Sequence, residues 1–371
     1  MILGARARIN CDALKHNFNI LKRTAPGCMV MATVKANAYG HDLKIISQAL
    51  EDADGLAVAR ISEILDLRDA GIDKSIILMP GIISDYELNV VFEKNSDLVV
   101  HNTEQISLLK NRSQGSIKVW LKIDTGMNRL GVRPRQVGEL IHSLRSIKCV
   151  REIGLMTHLA NADNINDHKT IHQKNTFLQF TDKFDGDISI ANSAAILGWQ
   201  SEILTPKKYN NNGDFWIRPG ISLYGISPFA DKTSASLGLQ PVMKFEADLI
   251  DIKSVSKGDS VGYGGTWTFS SNSNLGIISV GYGDGYSRHL PSGTPVLLNG
   301  RKVTLVGLIS MDLAAVDLGL NSGDKIGDKV ILWGEGLPVE EIATYAKTTS
   351  YPLVCGLSQR VERIIDLPKI N

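Results

Sequence analysis

Between residues 28 and 225 one pattern recurs. A short apolar run is followed by a segment with apolar residues at helical spacing, and then by another run. The runs are Val30–Val34, Leu56–Ala59, Ile76–Met79, Leu98–Val100, Val119–Ile123, Ile153–Met156, Ile188–Ala191 and Trp216–Ile217. The segments between them, such as DLKIISQALE, SEILDLRDAG, TEQISLLKN and RQVGELIHSL, place apolar residues at i, i+3, i+4 and i+7. Asp42, Ser62, Thr103 and Asp167 are read as helix N-caps. Strands that alternate with helices imply a parallel sheet, because parallel neighbours need a crossover. Eight is the number that closes a (β/α)8 barrel; the rival arrangement is an open doubly wound sheet.

After about residue 238 the texture changes. KFEADLIDI and NLGIISV alternate apolar and polar residues, and Asn299-Gly300 between PVLL and RKVTLVGLI is a two-residue hairpin signal. The fold class read from this is α/β: a (β/α)8 barrel, then a mostly antiparallel β domain with one late helix, VEEIATYAK. The boundaries are drawn at 1–237 and 238–371, with Ala230–Gly238 as linker and roughly the first ten residues pairing with the C-terminal domain.

Lys plus Arg number 40 against 39 Asp plus Glu, a balance that argues against an electrostatic nucleic-acid binder. No apolar run reaches the ~18 residues of a membrane span, and MILGARARIN lacks the apolar stretch of a signal peptide. Cys11, Cys28, Cys149 and Cys355 lie far apart, which suits a reducing compartment, so a cytoplasmic location is expected. His168 and His172 have i, i+4 spacing but no further ligands, so no metal site is expected.

In a barrel, chemistry gathers where strands end. The first run is followed by Lys35-Ala-Asn-Ala-Tyr39, and the fifth, with Lys122 near its end, by Asp124-Thr-Gly-Met-Asn-Arg129. The sixth leads into Thr157-His158, the seventh into Asn192-Ser193 and the eighth into Arg218-Pro-Gly220-Ile221. Each has an ordinary alternative: a solvated cap for the lysine, a structural histidine, a surface pair of Arg129 with Asp124, a helix N-cap for Asn192-Ser193. Their convergence on one rim favours a site. Barrels often bind phosphate with the loops after strands 7 and 8, where Ser193 and Gly220-Ile221 fall. A lysine facing a phosphate site points to a phosphorylated aldehyde held as a Schiff base.

VKANAYGHD, KIDTGMNRLGV, THLANAD, RPGISLYG, VGYGGT, GYGDGY and ISMD together resemble the alanine racemases, a fold-type III family dependent on pyridoxal 5'-phosphate. The likeness runs from about Arg6 to Arg363. It implies a homodimer that interconverts L- and D-alanine, with no nucleic acid or membrane partner. By matching position, Lys35 would carry the cofactor. Tyr39, Ser193, Gly220 and Ile221 would hold its phosphate, Arg218 would donate to the pyridine nitrogen, and His158 would stand behind Arg218. Arg129 would approach the cofactor and the substrate carboxylate, and Asn192 and Gln359 would complete the cofactor contacts. Tyr263 would be a second base from the other subunit, and Tyr282, Met311 and Asp312 would line the substrate entrance, also from that subunit. Lys122 matches a lysine that is N6-carboxylated in many members. Two positions depart: Gln359 stands where some members have a phosphate-binding Tyr, and Ser189 where some have His.

The implied chemistry suits these residue types. Racemisation removes a proton from one face and returns one to the other, so two bases on opposite sides are needed; Lys35 and Tyr263 would serve. A phenol of pKa ~10 is a poor base at neutral pH unless cationic donors favour its phenolate. The closest alternatives are a racemase of broader specificity and a fold-type III decarboxylase. Decarboxylases of this fold usually place a carboxylate where Arg218 stands. A non-catalytic pyridoxal-phosphate carrier would lack the residues after 238.

Overall fold

The computed structural model describes residues 4–182, 184–204, 213–320 and 323–366. Residues 1–3 and 367–371, at the outer ends of the two assigned domains, lie outside that set.

After an N-terminal strand, β1 (Arg6–Ile9), eight parallel strands close on themselves: β2 (Met29–Thr33), β3 (Gly55–Val58), β4 (Ser75–Leu78), β5 (Asp97–Val100), β6 (Ile117–Lys122), β7 (Val150–Met156), β8 (Ile188–Asn192) and β9 (Phe215–Arg218). The barrel is therefore closed and the open doubly wound sheet is not the fold. The strands bury both faces, except for the exposed Arg151 and Glu152 at the start of β7, which is why they read as continuous apolar runs. In β2, Met31 points into the barrel beside Ala57, Ile77, Val99, Trp120, Met156 and Trp216, while Val30 and Ala32 join the layer under the helices. Trp120 fits because its register partner is Gly154; a Cβ there would lie 2.6 Å from the indole.

Helix starts are less legible. Asp42 caps Leu43–Ala49 through its side chain. Asn102, not Thr103, caps Thr103–Lys110 by accepting from Gln105 N–H, and the helix expected from Ser62 begins at Ile61 with Arg60 at the cap. Asp167 accepts from Lys169 N–H, one residue ahead of the cap at His168.

The C-terminal part contains β10 (Met243–Val255), β11 (Ser260–Val261), β12 (Trp267–Thr268), β13 (Ser273–Ile278), β14 (Pro295–Leu298), β15 (Arg301–Leu305), β16 (Ala314–Asp317), β17 (Lys329–Trp333) and β18 (Glu362–Ile365). The sheet runs β13-β16-β15-β14-β17-β10-β1-β18, and β10 also pairs β13, so six strands close a second ring. Asn299 and Gly300 both have positive φ, as a type I′ hairpin requires. β1 lies antiparallel to β10 and parallel to β18; Arg8 pairs with Glu246 at 2.7 Å, and Asp248 receives Arg6 and Lys329. Phe245, Tyr286 and Trp333 form the aromatic centre of this ring. Two helices follow, Val339–Tyr345 and Ser350–Cys355.

Candidate active site

The chain leaves β2 and at once adopts an uncommon conformation. Ala36, Asn37, Ala38 and Tyr39 all have φ between 52° and 56°, a left-handed turn without glycine. Left-handed backbone costs an L-residue roughly 1–2 kcal/mol, and such strain concentrates at functional sites. Several bonds hold the turn: Ala38 N–H to Val34 O (2.8 Å), Gly40 N–H to Ala36 O (3.0 Å) and Leu43 N–H to Asn37 Oδ1 (2.8 Å). The Tyr39 ring stacks on Tyr224, whose hydroxyl donates to Thr33 O. From the β domain, Arg363 donates to Gly40 O at 3.2 Å and also bonds the carbonyls of Leu357, Ser358 and Val361. Lys35 opens this turn, half-buried; burial and Arg129 lower its pKa, while Glu63 and Cys355 oppose the shift.

Three further cations share the rim. Lys122 ends β6 at 5% exposure and Arg218 ends β9 at 4%, while Arg129 lies exposed on the loop after β6. Burial and the like charges of Arg218, Arg129 and Lys35 push the Lys122 amine down to about 8. Burial brings the Arg218 guanidinium to about 9, below its free range yet still charged at neutral pH. Arg218 donates to Ser189 Oγ, to Thr157 O (2.5 Å) and, at 3.4 Å, to His158 Nδ1. Burial first, then these cations, holds His158 well below the ordinary histidine value, so its imidazole is neutral. With Nδ1 accepting, the ring proton belongs on Nε2. Among the described residues none of Lys35, Lys122, Arg129 and Arg218 forms an ion pair. Asp124, the alternative partner for Arg129, instead pairs with Arg133 at 3.2 Å and accepts from Gly126 and Asn128 N–H. Lys122 and Arg218 are buried without an ion pair, which is costly; with Lys35 and Arg129 beside them the rim is electrostatically suited to anions.

Beside the cluster lies a cradle. Ser193 Oγ accepts from Gly220 N–H (2.9 Å) and Ser222 N–H (3.4 Å), and Ile221 opens a 3-10 turn whose leading N–H groups lack intrahelical acceptors. A Cβ on Gly220 would lie 2.7 Å from Tyr39 Oη, so only glycine lets these donors converge. Asn192 uses its Oδ1 to cap the next helix at Ala195 N–H, and Gln359 is exposed.

Lys35, Tyr39, Lys122, His158, Ser193, Arg218, Gly220 and Ile221 thus meet at one end of the barrel. Tyr263, Tyr282, Met311 and Asp312 do not. They lie on the β domain, with Tyr263 68% and Met311 53% exposed. Tyr282 N–H donates to Ser310 O and Gly283 N–H to Met311 O, so the two turns form one ledge, and Arg360 ties it by bonding both Asp284 and Asp312. No hydrogen bond or ion pair among the described residues joins Tyr263, Tyr282 or Met311 to the rim of the same chain. Sequence reasoning missed two buried groups behind the rim. Gln173 accepts from Ala160 N–H and donates to His158 O and Thr125 Oγ1, joining the loops after β6 and β7. Glu63 accepts three backbone N–H groups. The only hint of Glu63 was an acidic residue in a first helical turn, and Gln173 gave none.

The description "Alanine racemase, N-terminal domain" fits residues 9–228, and "Alanine racemase, C-terminal domain" fits residues 242–365. The alanine racemase of Vibrio atlanticus is 44% identical over 360 residues, covering 96% of this chain and 98% of the relative. The crystal structure of the biosynthetic alanine racemase from Pseudomonas aeruginosa superposes with a TM-score of 0.91 at 39% identity, covering 99% of this chain and 100% of that one. That of Bartonella henselae alanine racemase, described as having covalently bound pyridoxal phosphate, gives 0.85 at 28% identity, covering 98% and 100%. With both halves matched and nearly the whole length aligned, the chain belongs to the alanine racemase family.

Proposed function

We propose that the protein interconverts L- and D-alanine with pyridoxal phosphate as cofactor, each site being completed by a second copy of the chain. The observation that carries this reading is the set of four cations, Lys35, Lys122, Arg129 and Arg218, without an ion pair among the described residues, beside a cradle that a Cβ at Gly220 would close. A dianionic phosphate and a substrate carboxylate are the charges such a rim lacks. Lys35 would bind the cofactor aldehyde. Tyr39, Ser193, Gly220 and Ile221 would hold the phosphate, with Arg129, Asn192, Arg218 and Gln359 around the remainder. Pyridoxal phosphate, when bound, supplies an electron sink that acidifies the α-carbon C–H bond of an amino acid.

Lys35 Nζ carries the proton on one face of the substrate, and the phenol of Tyr263 of the partner subunit carries it on the other. Two carriers on opposite faces make inversion the ordinary outcome. His158, neutral with its proton on Nε2, stabilises the Tyr263 phenolate as a donor, and Arg218 fixes that tautomer by donating to Nδ1. Arg218 keeps its own proton at neutral pH, so as the residue that would donate to the ring nitrogen it would favour proton exchange over decarboxylation. Lys122, driven toward its neutral amine, is suited to attack CO2; the amine loses a proton, and the carbamate formed is an anion able to orient Arg129. The exposed ledge of Tyr263, Tyr282, Met311 and Asp312 is the surface that the partner uses to narrow the entrance to a small side chain. In this division of labour, residues 1–237 carry the cofactor, while 238–371 offer Tyr263, Tyr282, Met311 and Asp312 to the neighbouring site and brace the lysine loop of their own chain through Arg363.

Borohydride reduction of the purified yellow protein followed by peptide mapping tests the reading. A pyridoxyl label on Lys35 is expected; a label on another lysine, or none after incubation with pyridoxal phosphate, overturns it.

A further inference from the structure

Glu63 belongs to the helix Ile61–Asp69 that follows β3, and it is buried at 8% exposure. Its Oε2 accepts from Ala59 N–H (2.7 Å) and Arg60 N–H (3.0 Å), the ordinary work of an acidic residue at the third position of a helix. Its Oε1 does something else: it accepts from Ala36 N–H at 2.6 Å, across 27 residues of sequence. Ala36 directly follows Lys35 and is the first residue of the left-handed turn. A carboxylate accepts at both oxygens and donates at neither, which matches three N–H donors. Among the described residues Glu63 forms no ion pair, and its hydrogen bonds all go to backbone.

We propose that Glu63 is a positioning residue for Lys35: its carboxylate straps the strained backbone beside Lys35 to the end of the neighbouring barrel strand and so fixes where the lysine points. This rests on Lys35 being the cofactor lysine. The strap also puts an anion near an amine that otherwise faces cations. Arg129 lowers the Lys35 value, Lys122 and His158 share the same field, and only Glu63 and Cys355 raise it.

The test compares Glu63→Gln and Glu63→Asp with the parent chain. Three quantities are read: hydrogen exchange at the Ala36 amide, the dissociation constant for pyridoxal phosphate, and the pH midpoint for acylation of Lys35 in cofactor-free protein. Glutamine keeps the shape but turns an NH2 toward a group that also donates. In Glu63→Gln, Ala36 exchange is expected to quicken and cofactor binding to weaken, each by about tenfold or more, as the local opening becomes easier. The acylation midpoint falls by about half a unit or more, because the ammonium loses an anionic neighbour. A lesion of packing alone would not move that midpoint. Glu63→Asp keeps the charge but is too short to reach both backbones: its midpoint stays at the parent value while binding is still weakened. Parent-like cofactor binding in both variants overturns the proposal, as does weakened binding with parent-like exchange at Ala36. If borohydride in the parent chain labels a lysine other than Lys35, the underlying functional reading fails instead.

Discussion

At the floor of the barrel, Lys118 enters β6 paired with Asp187 and, at 3.4 Å, with Glu152. Asp187 also accepts from Trp216 Nε1 and Asp214 N–H, and the Lys118 ammonium lies 5.1 Å from the Trp120 ring. At the rim, the same strand ends in Lys122, where the cations Arg218, Arg129 and Lys35 outweigh the one nearby carboxylate, Asp124, and no ion pair forms among the described residues. One strand therefore carries a compensated lysine at one end and an uncompensated one at the other. A buried charge whose partners are all protein is part of the scaffold; a buried charge without them is stabilised by what binds there. Under the proposed function, the difference separates the end that supports from the end that would react.

The contrast can be broken most decisively at Lys35. Lys35→Ala is expected to lower racemisation by about 10³-fold or more in a coupled D-alanine assay, and activity within tenfold of the parent would remove the rim's claim. Next, Tyr263→Phe should cost roughly 10²–10⁴-fold in both directions. Mixing it with Lys35→Ala protomers should restore part of the activity, because a hybrid dimer holds one intact site; no recovery despite subunit exchange would count against a shared site. At the floor, Lys118→Met should cost about 3 kcal/mol in denaturant unfolding with turnover per folded molecule unchanged, since it strands Asp187.

Lys122 offers a pH signature of the opposite sign. Its ordinary value of 10.5 falls to about 8 in the fold, so the unfolded chain holds more protons between those values. Stability of the cofactor-free protein, kept free of CO2, should therefore rise with pH across that window by up to about 3 kcal/mol, and Lys122→Met should flatten the rise. The smallest effect is catalytic: Lys122→Ala is expected to lose about tenfold in turnover, recovered by short carboxylic acids that supply the missing anion. Absence of rescue would argue against the carbamate.

Much of the barrel was written in the sequence, because strands buried on both faces leave apolar runs that polar helices interrupt. The rim residues were legible as a set for the same reason: each follows such a run. What stayed hidden was whatever depends on distant neighbours. Ala36-Asn37-Ala38-Tyr39 contains no glycine to signal its left-handed path; besides the turn's own bonds, Glu63, Tyr224 and Arg363 brace it from elsewhere. The choice of Arg133 over Arg129 as partner for Asp124 is likewise made by the loop's path, not by spacing. Ser62 looked like a cap, yet the helix starts one residue earlier, where Glu63 can reach back to Arg60 N–H.

The bond from Arg363 to Gly40 bears on how such proteins can be recombined. The C-terminal segment buttresses the lysine loop of its own chain, even though in the proposed dimer its tyrosine would be offered to the neighbour. A chimera that grafts a foreign C-terminal half onto this barrel would exchange both services together. Its fitness would depend on how well the imported arginine meets a carbonyl it did not evolve beside, which makes the two halves poor candidates for modular swapping.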